Sequence, residues 1–175
     1  MLQSKTKIRI TLIVAFLLIL VGCFVFKDPR TKGKQSESYE AEFNTVKSAY
    51  LKQMAKTAKL HVNGSGGRLG EKITLVAFSF RSNAKCDINA SKQLLLYSVN
   101  TLLEQINGNE KLRPFLSQYP FTHENVEISI SFFDKNSNYY PQEYVSIVLN
   151  TKNKINFGVF DPEIYNYKTL KEESF

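Results

Sequence analysis

The chain has 175 residues, a length that fits one domain of ordinary size and crowds two. Apolar residues make up 43% and charged residues 22%, which excludes a disordered chain and one embedded in a membrane throughout. Lys and Arg outnumber Asp and Glu by 23 to 16, two cysteines exclude a disulfide-built scaffold, and two histidines weigh against a histidine-built metal centre.

Residues 1–9 carry Lys5, Lys7 and Arg9 and no acid, and Ile10–Phe26 then runs for 17 residues without a charge. A basic start followed by an apolar run is the mark of a secretory signal or a membrane anchor. Within it, Leu20-Val21-Gly22-Cys23 places a small residue directly before a cysteine. This box resembles the lipobox of bacterial lipoproteins. The resemblance covers about residues 1–23, and it implies that Cys23 is acylated and becomes the first residue of the mature chain. Uncleaved, the same segment is an anchor. At a rise of ~1.5 Å per residue the run reaches about 26 Å of a ~30 Å hydrocarbon core. Ile8 and a snorkelling Arg9 close most of the gap. Phe24, Val25 and Phe26 extend the apolar run past the cysteine and keep the uncleaved reading open.

Cations flank the run on both sides, Lys5, Lys7 and Arg9 before it and Lys27, Arg30, Lys32 and Lys34 after it. Charge therefore does not choose an orientation. The lipobox reading requires export, so the domain is expected to be extracytoplasmic, in the bacterial periplasm or cell envelope. A domain facing the cytoplasm is the alternative. Without the three leading cations, 20 bases face 16 acids, an ordinary solubility charge. The cluster Lys27–Lys34 suits anionic head groups beside a membrane. No basic stripe with interleaved aromatics appears elsewhere, so no nucleic-acid partner is expected.

Residues 27–36 are polar, contain Pro29 and Gly33, and read as a basic linker. Phe43, Val46, Tyr50, Met54 and Ala58 then recur at helical steps, which predicts a helix over 37–60 with Ser36 as its cap. Asn63–Gly70 is glycine-rich, has the wrong spacing for a phosphate loop, and reads as a flexible turn. Ile73–Phe80 reads as a buried strand. Asp87 or Asn89 caps a helix reaching Ile106, with Leu95, Val99 and Leu102 on its buried face, and 109–118 reads as a second short helix. Residues 126–134 alternate as a half-buried strand. Tyr144–Asn150 and Ile155–Phe160 read as a hairpin with Val145, Ile147 and Leu149 opposite Ile155, Phe157 and Val159, and Leu75, Ile128, Ile130 and Ile147 are expected to meet the helix in the core. Residues 166–175 read as a loosely docked polar tail. The expected fold is α+β. It is a single two-layer domain over 37–165, with helices on one face of a four-stranded mixed sheet, preceded at 1–26 by a signal peptide or membrane anchor.

The candidate chemistry is sparse. Ser82-Asn83-Ala84-Lys85 has the spacing of a serine nucleophile with a lysine base, without the companion motifs. Asp134, Asn136 and Asn138 start like a calcium loop, but Tyr139 and Val145 stand where glycine and glutamate belong. His61 and His123 lack cysteine partners for zinc, and Cys86 reads as a small buried filler. No catalytic residue, metal site or cofactor is assigned. Tyr139, Tyr140 and Tyr144 lie in a strand–strand loop and form the candidate interaction surface, because tyrosine buries much area and keeps a polar tip. The resulting expectation is a membrane-anchored envelope protein whose small domain binds or scaffolds a protein partner without catalysis. An enzyme of unfamiliar type acting on an envelope substrate is the alternative.

Overall fold

A computed structural model describes residues 33–175. The leader over 1–26, Cys23 and the linker as far as Lys32 lie outside the described residues, and so does the expectation of an anchor helix. Among the described residues no helix is long and apolar enough to cross a membrane. Ser36–Phe175 forms one compact unit.

Helix α1 (Gly33–Gln53) includes the last four residues of the expected linker, and Ser36 lies inside it rather than capping it. Phe43, Val46 and Tyr50 form its buried face, and Met54, the first residue after it, continues the same spacing of three and four. The helix ends earlier than its pattern suggests. It loosens into a π turn over Met54–Ala58, and Lys59, in the left-handed region at φ 54°, stops it. The Leu60 N–H then donates to the Met54 carbonyl at 3.2 Å.

The sheet has six strands, not four: β1 (His61–Leu69), β2 (Ile73–Ser82), β3 (Val126–Phe132), β4 (Ile147–Thr151), β5 (Lys154–Asp161) and β6 (Asn166–Ser174). They lie in chain order, β1-β2-β3-β4-β5-β6. The pair β2/β3 is parallel and every other pair is antiparallel. The glycine-rich segment expected as a turn is the edge strand β1, and the expected polar tail is the opposite edge, β6. Both additions are hairpin partners of strands that the sequence does reveal, so backbone pairing outweighs their weak side-chain signal.

Helix α2 (Ile88–Asn107) makes the crossover that a parallel pair needs. Asp87 caps it, its carboxylate accepting from Ala90 N–H at 2.8 Å. Leu95, Val99, Leu102 and Ile106 are buried. The expected second helix is instead a turn and a 3₁₀ stretch, Arg113–Phe115.

One face of the sheet carries the core. On β2 the inward residues are Val76, Phe78 and Phe80, and on β3 they are Val126, Ile128, Ile130 and Phe132. Tyr50 joins both helices to them. Its ring lies 5.1 Å from Phe78 and 5.9 Å from Phe80, and its hydroxyl donates to the Ser98 carbonyl of α2 at 3.2 Å. Burial raises the Tyr50 pKa, as desolvation of a phenolate must. The inward residues of β4 and β5 are Val148, Ile155 and Phe157, with Val148 directly opposite Phe157. This corrects the expected register. Ile147 and Leu149 face outward, and so does Leu75 on β2. A slip of one residue sends a side chain to the other face.

The outer sheet face as candidate binding surface

Alternation sends Gly64 and Gly66 of β1, Ala77 and Ser79 of β2, Ser129 of β3 and Leu149 of β4 to the face without helices. Gly64, Ser79, Ser129 and Leu149 lie side by side across four strands. Small side chains next to a leucine leave a shallow concavity of ≈ 420 Å³ that also takes in Glu127 and Thr151. Its exposed surface is mostly apolar. The concavity is shallow and open to solvent.

Toward the far edge the same face changes character. Tyr139 stacks on Phe160 at 4.2 Å, leans on Phe133 at 4.6 Å and meets Tyr167 edge-on at 5.8 Å. The Tyr139 and Tyr167 hydroxyls share a hydrogen bond of 2.7 Å. Burial first, and then the Tyr167 hydroxyl, push the Tyr139 pKa up. The Arg81 guanidinium lies 4.4 Å from the Phe133 ring centre and donates to the Ser137 hydroxyl at 2.7 Å. Beyond this cluster, the β5–β6 turn holds Ile164 and Tyr165 out to solvent, 59% and 85% exposed.

Of the three tyrosines expected to form an interaction surface, only Tyr139 belongs to this cluster. Tyr140 packs against the core, and its hydroxyl donates to the Asn83 carbonyl at 2.8 Å. Tyr144 lies 6.4 Å from Tyr140 with the Lys85 ammonium 3.9 Å from its ring centre. All three are half-buried. The sequence does not group Phe160, Tyr165, Tyr167 and Arg81 with Tyr139, as the structure does. The alternation of Tyr165, Tyr167 and Thr169 was the available signal.

Ser82, Lys85, Asp134 and His123 make local contacts within the domain. Ser82 is buried and its hydroxyl accepts from Ala84 N–H at 3.2 Å, while Lys85 is over Tyr144. Asp134 accepts from the N–H groups of Asn136 and Asn138, each at 2.8 Å, and these bonds hold its pKa low. That is an Asx-type turn. His123 shares a hydrogen bond with Asn153 at 2.7 Å and stacks on Phe175 at 4.3 Å. His61 is exposed on β1. Cys86 is buried, and desolvation, with Asp87 nearby, pushes its thiol pKa up, away from reactivity. Among the described residues no three His, Cys, Asp or Glu side chains gather as a metal site.

No family model matches this sequence, and neither a curated protein nor a solved structure matches it at a significant level. The reading of function therefore rests on the geometry of the outer face and on the N-terminal sequence.

Proposed function

We propose that this chain is a bacterial envelope protein, tethered to the membrane by its N-terminal segment, whose α+β domain binds a protein partner through the outer face of its sheet without catalysis. The observation that carries the binding reading is the arrangement of that face. Both helices pack on the opposite side, and the outer face offers an apolar concavity beside a packed aromatic cluster. The tether and the compartment rest on the basic start, the uncharged run and the lipobox-like Leu20–Cys23.

A photo-crosslinking residue placed at Thr151 of the full chain in cells tests the reading. A discrete cross-linked protein is expected from Thr151 and not from Glu104, which is exposed on α2. Equal labelling from both positions, or none from Thr151, rejects it. Protease added to intact spheroplasts reports the side of the membrane: degradation of the domain supports the extracytoplasmic assignment, and protection supports the cytoplasmic one.

A further inference from the structure

The two edges of the sheet are unlike. β6 carries Lys168, Lys171, Glu172 and Glu173, which pair with Asp161, with one another, with Lys154 and with Lys92. Charged side chains of this kind guard an edge against further pairing. β1 is guarded less: its one formal charge is Arg68, and its register irregularities lie toward its ends, between Val62 and Gly64 and between Arg68 and Leu69, so that Gly64–Arg68 runs in regular register. It is exposed along its length except at half-buried Gly64, holds no Lys, Asp, Glu or Pro, and among the described residues no strand pairs with its outer side. An edge strand that no further strand covers offers its outer N–H and C=O groups as a template for one more strand.

The side chains of β1 define what that strand carries. Gly67 is needed by the fold, because a Cβ there would stand 2.4 Å from the Leu75 carbonyl oxygen. Gly64 and Gly66 are not: a Cβ at Gly66 meets nothing within 4 Å, and one at Gly64 meets only Ser79 Cβ at 3.8 Å. Their bareness keeps the concavity over Ala77 and Ser79 open toward the free edge. A large side chain on a neighbouring strand characteristically covers a bare edge glycine. Arg68 faces outward two residues on, opposite Leu75, and β1 contains no acid to neutralise it. A second copy of β1 fits poorly, since its own outward residues His61, Gly64, Gly66 and Arg68 offer no bulky apolar group and no acid.

We propose that the free edge of β1 accepts an extended segment of the partner protein by strand addition, with bulky apolar side chains crossing Gly64 and Gly66 and an acidic side chain facing Arg68. The proposal rests on the outer face being a protein-binding surface, and it names how the partner enters.

The test uses the full chain in detergent and a fluorescent synthetic peptide of the pattern Glu-Thr-Phe-Thr-Phe-Thr, read by anisotropy. Binding is expected to weaken by about tenfold or more when both Phe become Gly, and equally in Gly66→Val, which fills the entrance without touching the core. Gly64→Val is the second variant, and circular dichroism checks that both fold. Arg68→Glu is expected to reverse the preference between this peptide and its Lys-for-Glu counterpart. Failure of the peptide to bind the native protein, or binding indifferent to Gly66→Val and Arg68→Glu, overturns strand addition. Cross-linking from Thr151 that persists alongside such a failure overturns strand addition alone. Loss of both overturns the outer-face reading with it.

Discussion

Ile147 of β4 occupies space that Gly158 of β5 leaves open on the outer face. The two residues are directly paired, and a Cβ at Gly158 would stand 3.0 Å from Ile147 Cγ2, with the Lys168 carbonyl oxygen at 3.4 Å and Tyr167 Cβ at 3.5 Å. A branched side chain and a bare backbone thus fit together where three strands meet. The register irregularity of β5 against β6 falls at the same place, between Phe157 and Gly158.

Gly158→Val should therefore overpack this corner and cost about 1–3 kcal/mol. Combining it with Ile147→Ala should recover part of that loss, so the double variant falls short of the sum of the singles. Denaturant unfolding of the four proteins checks this. Strict additivity would mean that the two residues do not compete for the space.

The corrected register makes a second expectation. Ile130 is fully buried under the helices, whereas Ile147 is half-buried on the outer face. Ile130→Ala should cost ~2–5 kcal/mol through lost transfer energy and an incompletely collapsed cavity. Ile147→Ala alone should cost clearly less. Equal losses in urea unfolding would contradict the assignment of faces.

Asn150 is a third point. It is buried, accepts from Ile128 N–H at 2.8 Å, and donates to the Val126 carbonyl at 2.5 Å. β3 and β4 pair directly only from Ser129 to Ser131, so this amide continues their join where the ladder stops. Asn150→Ala leaves two buried backbone groups without that partner, at roughly 1–3 kcal/mol for each one left unsatisfied. Hydrogen exchange should speed up at the Ile128 amide before the centre of β3 is affected.

Asp161 gives the pH dependence. The Lys168 ammonium, and then the Glu163 N–H, hold the pKa of this buried carboxyl below its ordinary value. A depressed folded-state pKa means that the unfolded chain takes up the proton more readily. The stabilisation is thus complete above the ordinary carboxylate pKa of ~4 and is lost as the pH falls through the folded value. Asp161→Asn should lower stability at neutral pH and flatten its decline on the acid side. Parallel acid-unfolding curves for the two proteins would refute the assignment.

The proposed tether is tested at Cys23. The full chain should partition with membranes at high salt, and a labelled fatty acid should be incorporated in the native protein but not in Cys23→Ser. Loss of label with retained attachment identifies an uncleaved anchor, and a full chain found in the soluble fraction removes the tether altogether.

How much of this was legible in the sequence depended on periodicity. β3 alternates cleanly from Val126 to Phe132, and α2 repeats its apolar residues at helical steps, so both were readable. Leu75-Val76-Ala77 and Ile147-Val148-Leu149 are apolar on both faces, so alternation could not say which residue points inward. β1 was hidden because glycine usually punctuates a chain, and here two of its glycines leave a surface bare. β6 was hidden because a guarded edge strand has the composition of a tail. The candidate site suffered accordingly. Tyr139 was visible as a loop aromatic, but its partners Phe160 and Tyr167 come from a strand pair of which only one member was recognised.

The strictly sequential strand order has a kinetic consequence. Each strand bonds only to its predecessor and successor, so three of the five joins are tight hairpins, β3 with β4 closes across the longer connection 133–146, and β2 with β3 must close across a helix. Distant closure costs chain entropy before it is rewarded. The seam between β2 and β3, with α2 laid over it, is thus expected to form the folding nucleus. Substitutions at Phe78, Ile128 or Leu102 should slow refolding, whereas those in β1 or β6 should mainly speed unfolding. A chevron analysis would then show a domain that assembles from its middle and frays from its edges.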